Sequence, residues 1–219
     1  MFRWTVRALI ALALALFALG VAVVPLQAPQ FTHALSSRYS RAQEAGLSSD
    51  QMLSVAQSVR VFVVQGTGAL PERVAGREGF DEAAVAHLVD VRRVLDGARV
   101  ATGLLGLVLV AWFAVAWRAR RYDEVAAALG LGVLTTLLVP MLAVLVGVVD
   151  FDGFFTAFHG VFFASGTWTF PADSLLILTF PEPFWVLSGL AWGVGVLSVA
   201  GVYGLAWVLV RRRATTTTD

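Results

Sequence analysis

Histidine is the side chain whose ordinary pKa lies nearest neutrality, and this chain has three, His33, His87 and His159. Asp90 lies three residues beyond His87, on the same face if that stretch is helical. A carboxylate beside an imidazole can fix its tautomer and raise its basicity. His159 sits in a different setting. It falls within residues 150–185, a run crowded with Phe and Trp that also carries Asp150, Asp152, Asp173 and Glu182. Amphipathic aromatics favour the membrane–water boundary. An ionisable group among them is costly unless it has a partner or a task. These residues point to a site at a membrane surface, with the aromatic run as one wall.

Other chemistry has weaker support. The set His87, Asp90 and His159 is chemically able to bind Zn or Fe(II), but a His-x-x-Asp spacing is common. Ser165 before Gly166 lacks the Gly-x-Ser-x-Gly elbow of a serine hydrolase. The absence of cysteine removes thiol nucleophiles, disulfides and thiolate metal sites. Neither a phosphate loop nor a dinucleotide fingerprint nor His-Glu-x-x-His is present. Taken singly, a histidine near a helix end usually serves structure, and nothing around His33 suggests a site. The Phe-rich run 151–163 reads equally as packing and interfacial anchoring. Asp150 and Asp152 read as a helix end meeting water, and Asp173 as a cap on the turn 171–174.

The elements that must position these residues follow from composition. Hydrophobic residues make up 58% of the chain and charged residues 14%, a membrane-protein balance. A spanning helix needs about 20 mostly apolar residues. Four runs qualify, at about 8–26, 98–117, 125–149 and 184–210. Arg3 and Arg7 ahead of the first resemble a signal peptide, but the long core without a clear cleavage site favours a retained helix. Pro140 is expected to kink the third. Arginines flank the spans at Arg3 and Arg7, at Arg118, Arg120 and Arg121, and at Arg211, Arg212 and Arg213. With four spans these flanks share one side, which the positive-inside rule makes cytoplasmic. Both termini are then inside, and all three histidines outside.

The chain therefore divides into a first transmembrane helix (1–26), an extracytoplasmic helical cap (27–97), a second and third transmembrane pair (98–149), an extracytoplasmic aromatic segment (150–183) and a fourth transmembrane helix with a cytoplasmic tail (184–219). The fold class is an all-α membrane protein with four transmembrane helices and a small extracytoplasmic helical cap. Ser48-Ser49-Asp50 reads as a helix start, followed by Met52, Val55, Val59 and Phe62 at helical spacing. Residues 61–64 also suit a short strand before the break at Gly66. Asp81 and Glu82 open a helix that carries His87 and continues into the second span. A short helix is expected at about 153–164, then irregular chain packed by its aromatics. The Thr-rich tail from Ala214 is expected to be disordered. The net charge of +1 gives no reason to expect a nucleic-acid partner.

Four motifs in order, set against the spans, carry a resemblance. They are His87-Leu88-x-Asp90-Val91 before the second span, Phe158-His159-x-x-Phe162-Phe163 after the third, Trp168-x-Phe170-Pro171-x-Asp173-x-Leu175, and Phe180-Pro181-x-x-Phe184-Trp185 entering the fourth. Together with the long first outer loop and the Arg-rich inner turn, they resemble the bacterial integral membrane family that includes the lipoprotein intramolecular transacylase. The resemblance implies an O-to-N acyltransferase acting on diacylglyceryl-modified lipoproteins at the outer face of the cytoplasmic membrane. One acyl chain would move from the glyceryl sn-2 oxygen to the α-amine of the lipoprotein's N-terminal cysteine, giving a lyso-form lipoprotein. The catalytic candidates carried over are His87 and His159, supported by Asp90, Trp168 and Asp173. No cofactor or metal is implied, and membrane phospholipid is the expected surrounding. A non-enzymatic membrane partner or lipid-binding scaffold, and a metal-dependent membrane hydrolase, remain alternatives.

Such a reaction suits two imidazoles. An α-amine has a pKa of about 8, so at neutral pH a proton must be removed before attack. The departing alkoxide must then gain one. The oxyanion between these steps needs a donor. The Trp168 indole, Thr167, an arginine of the cap, or backbone amides near Gly160 or Gly166 are the available choices.

Overall fold

The computed structural model describes residues 2–216. It is helical almost throughout: α1 Phe2–Val21, α2 Pro29–Tyr39, α3 Ser49–Arg60, α4 Glu82–Arg118, α5 Tyr122–Val149, α6 Phe151–Phe162, α7 Leu175–Thr179 and α8 Glu182–Thr216. A two-stranded antiparallel pair, β1 Arg73–Val74 with β2 Arg77–Glu78, interrupts the series. Four segments among the described residues are long and apolar enough to cross a bilayer: Trp4–Gln27, Glu82–Arg118, Tyr122–Gly147 and Glu182–Thr215. The chain divides into two compact units.

The first unit comprises Met1–Val23, Ala98–Asp150 and Trp192–Asp219. Its core gathers Ile10, Leu14, Leu109, Val125, Ala128, Leu129 and Val210. The buried stripe of α1 is Ile10, Ala11, Leu14, Ala15 and Ala18, a three–four spacing of mostly small residues. Small side chains let helix backbones approach closely, which is how helices pack where solvent offers no hydrophobic drive. The approach is tight enough for side chains to reach neighbouring backbones. Thr135 donates to the Ala11 carbonyl (3.2 Å), Tyr203 to that of Leu14 (3.2 Å) and the Trp192 indole to that of Leu19 (3.0 Å). Leu104, Leu107, Val110, Leu134, Leu145, Leu197 and Leu205 are exposed. On spanning helices these are lipid-facing positions. Helix α5 stays continuous through Pro140, and α8 remains helical to Thr216 where a disordered tail was expected. Residues 217–219 of that tail lie outside the described residues.

The second unit comprises Val24–Gly97 and Phe151–Ala191, and it is built like a small water-exposed domain. Helix α3 starts on a capping box: the Ser48 hydroxyl accepts from the Gln51 amide (3.2 Å), and the Gln51 side chain accepts from the Ser48 amide (2.9 Å). Its buried face is Met52, Val55, Ala56 and Val59. Residues Val61–Gln65 widen into one π-helical turn rather than the alternative short strand. Gly66 ends that turn at φ +69, a left-handed conformation that favours glycine. Asp81 caps α4 by accepting from the Ala84 amide (2.7 Å). Helix α7, within the stretch expected to be irregular, is capped by Ser174. Arg77, on β2, donates to the carbonyls of Ala45 (3.3 Å) and Asp173 (2.5 Å), tying three segments together.

Candidate active site

Helix α4 carries His87 on the face that also buries Ala84 and Leu88. Helix α6 carries His159, with Phe155 four residues before it and Phe163 four residues after, all on one side. The continuous apolar run of α4 begins at Ala98, beyond His87. The structure brings the two histidines together. Their ring centroids are 6.4 Å apart and their planes differ by 28°. Each is only 9% exposed.

Aromatic rings close around the pair. Phe163 meets His87 edge-on at 4.9 Å and His159 at 5.7 Å. Phe170 lies 5.5 Å from His87. Phe155 packs at 3.9 Å and Trp168 at 4.8 Å from His159. The Phe155 carbonyl takes a 2.8 Å hydrogen bond from Nδ1 of His159. That bond holds the proton on Nδ1 and leaves Nε2 of the neutral ring with its lone pair free. Nδ1 of His87 is buried and has no hydrogen-bond partner, and the same holds for the indole nitrogen of Trp168.

Burial lowers the proton affinity of both imidazoles. For His87 the next cause is repulsion from His159, partly offset by Asp90. For His159 the Phe155 carbonyl opposes the burial effect. The pair therefore favours two neutral rings at pH 7 and resists carrying two protons.

The remaining site candidates stand further out. The carboxylate of Asp90 bonds Arg93 at 2.7 Å, so the group expected to fix the His87 tautomer is engaged by an arginine instead. Among the described residues no three His, Cys, Asp or Glu side chains converge as a metal site requires. Asp173 is exposed, and its backbone carbonyl serves Arg77. Ser174 caps α7. His33 lies exposed on α2. A groove of about 300 Å³ between α3 and the hairpin contains Gln51, Ser54 and Arg73 and neither buried histidine. Its lining offers no acid–base pair. The sequence marked the aromatic run 150–185 as a wall without setting Phe155, Phe163 and Phe170 apart within it, although the spacing 155, 159, 163 marks one helical face.

A family model described as lipoprotein intramolecular transacylase Lit matches residues 6–185. The chain belongs to this family. Structures of the membrane-integral Lit of Bacillus cereus have the same fold. One matches with a TM-score of 0.82 at 15% identity, covering 98% of each chain. A histidine-to-arginine variant matches with a TM-score of 0.68 at 16% identity, covering 99% of this chain and 96% of that one. A histidine-to-alanine variant gives 0.69 at 16% identity over 98% of each. No curated protein matches by sequence. The chain is thus a multi-pass membrane acyltransferase of the Lit family, and both buried histidines fall within the matched residues.

Proposed function

We propose that His87 and His159 form one acid–base pair that moves an acyl chain within a diacylglyceryl lipoprotein, from the sn-2 oxygen to the cysteine α-amine. The observation that carries this reading is the enclosure of two imidazoles 6.4 Å apart, with Nδ1 of His159 tied to the Phe155 carbonyl. His159 presents Nε2 as the base. It accepts a proton as the amine nitrogen attacks the ester carbonyl carbon. A tetrahedral intermediate forms, the carbon–oxygen bond to the glyceryl sn-2 position breaks, and the alkoxide takes a proton from the pair. One C–N bond forms, one C–O bond breaks, and one proton passes from nitrogen to oxygen. No enzyme nucleophile is needed, because donor and acceptor belong to one molecule.

Direct attack closes a ring of roughly eight atoms, a poor geometry in free solution, so holding both groups between the rings supplies much of the acceleration. The phenylalanines exclude water, which would otherwise compete with the amine for the ester. Asp90 acts at a distance by its charge, and Asp173 by its carbonyl, through Arg77. The arginine flanks support cytoplasmic termini and a site facing outside, with phospholipid around the exposed apolar faces.

The test is mass spectrometry of a lipoprotein N-terminus from a host lacking its own N-acylating and transacylating enzymes. Expression of this chain is expected to convert the diacylglyceryl form to an N-acyl, S-monoacylglyceryl form of unchanged total mass. An unmodified α-amine in the presence of folded protein would contradict the proposal.

A further inference from the structure

We infer that the indole N–H of Trp168 is the donor that holds the acyl carbonyl oxygen as it becomes an oxyanion; this rests on the transacylase reading above. A buried indole N–H ordinarily finds a partner, because leaving it unpaired costs about 1–3 kcal/mol. Trp185, in the same unit, obeys the rule by donating to the Phe180 carbonyl at 2.9 Å. Trp168 does not: its Nε1 is buried and unpaired, while its ring lies against His159 at 4.8 Å with a 31° tilt. An unpaired donor beside the proposed base is a retained cost that makes sense if a ligand supplies the acceptor.

Several of the other candidate donors are occupied. The Thr167 hydroxyl donates to the Ala164 carbonyl at 2.8 Å. Gly160 lies within α6, where backbone amides serve the helix. Arg77 is spent on two carbonyls and Arg93 on Asp90. The two unpaired atoms around His159 are also complementary in kind. Trp168 Nε1 offers a hydrogen to an oxygen that gains negative charge, and His87 Nδ1 offers a nitrogen to a group that gives up or receives a proton. The tetrahedral intermediate presents both.

The test uses the full-length protein in detergent with a diacylglyceryl peptide. Trp168→Phe keeps a ring and deletes the N–H. The rate constant of transfer is expected to fall about 10²–10³-fold, the scale of losing one oxyanion donor, with KM changed little. Replacing Trp168 by benzothienylalanine, which keeps the bicyclic shape and exchanges N–H for sulfur, is expected to do the same, and it controls for a folding defect in the phenylalanine variant. A phosphonate mimic of the tetrahedral intermediate should lose affinity for both variants, while a non-reacting ether analogue of the substrate should not. Transfer within about threefold of wild type, or equal loss of both analogues, would overturn the assignment and leave the transacylase reading standing. A folded but inactive wild-type protein would sink both.

Discussion

The two units solve the problem of buried polar groups in opposite ways. In the spanning unit, Thr135, Tyr203 and Trp192 each hand a hydrogen to the backbone of α1, so polar atoms fasten helices together. In the second unit, caps and turns satisfy the backbone at Ser48, Asp81 and Ser174, yet His87 Nδ1 and Trp168 Nε1, both on rings around His159, stay unpaired. Unpaired atoms also occur at Arg7 and Thr136 in the spanning unit and at Ser36 in the second, but these belong to no cluster of titratable rings. Unsatisfied groups gathered on facing rings are what a substrate would complete.

That contrast predicts that changes in the spanning unit cost stability and changes around the histidines cost chemistry. The largest stability effect is expected at Ala18, fully buried on the small-residue stripe of α1. Ala18→Leu should overpack the contact and destabilise by about 1–3 kcal/mol, read as a lower unfolding temperature in detergent, with activity per folded molecule retained. Arg77→Ala comes next. It removes two donors to carbonyls of Ala45 and Asp173, for about 1–2 kcal/mol given its partial exposure. Faster amide exchange in the 170s segment, with the spanning helices unaffected, would locate the effect.

Acidification sharpens the comparison further. Both buried histidines have lowered proton affinity in the folded chain, so the unfolded chain binds protons first as the pH drops below about 6.5. Their neutral forms support full stability above that pH, and the contribution is lost as pH falls towards their native values. The unfolding temperature of wild type should therefore fall more between pH 7.5 and 5 than that of a His87→Ala, His159→Ala double variant. The smallest effect is expected for Asp90→Asn. Its carboxylate engages an exposed arginine, and such pairs contribute about 0–1 kcal/mol, so activity should stay within a few-fold of wild type.

The spans were legible because apolar runs of about 20 residues have few other meanings. So were the starts of α3 and α4, where Ser48 and Asp81 carry capping chemistry in their own type. The hairpin at Arg73–Glu78 was not, since two-residue strands leave no alternation to read and its turn rests on positive φ at Ala75 and Gly76. Helix α7 was missed for a similar reason: five residues hold barely more than one turn. Motif resemblance brought His87 and His159 forward as candidates, but their approach depends on how α4 and α6 pack, which no local pattern encodes. The pairing of Asp90 with Arg93 shows the same limit, because two carboxylate partners at helical spacing look alike in sequence.

The central claim is that the two imidazoles act as one unit, and a double-mutant comparison tests it most directly. Transfer rates would be measured for His87→Ala, for His159→Ala and for the two combined. Groups that act together lose their effect together. Each single variant should fall by about 10²–10⁴-fold, and the double variant should fall no more than a few-fold further. Losses that multiply, or either single variant retaining wild-type transfer, would contradict the account.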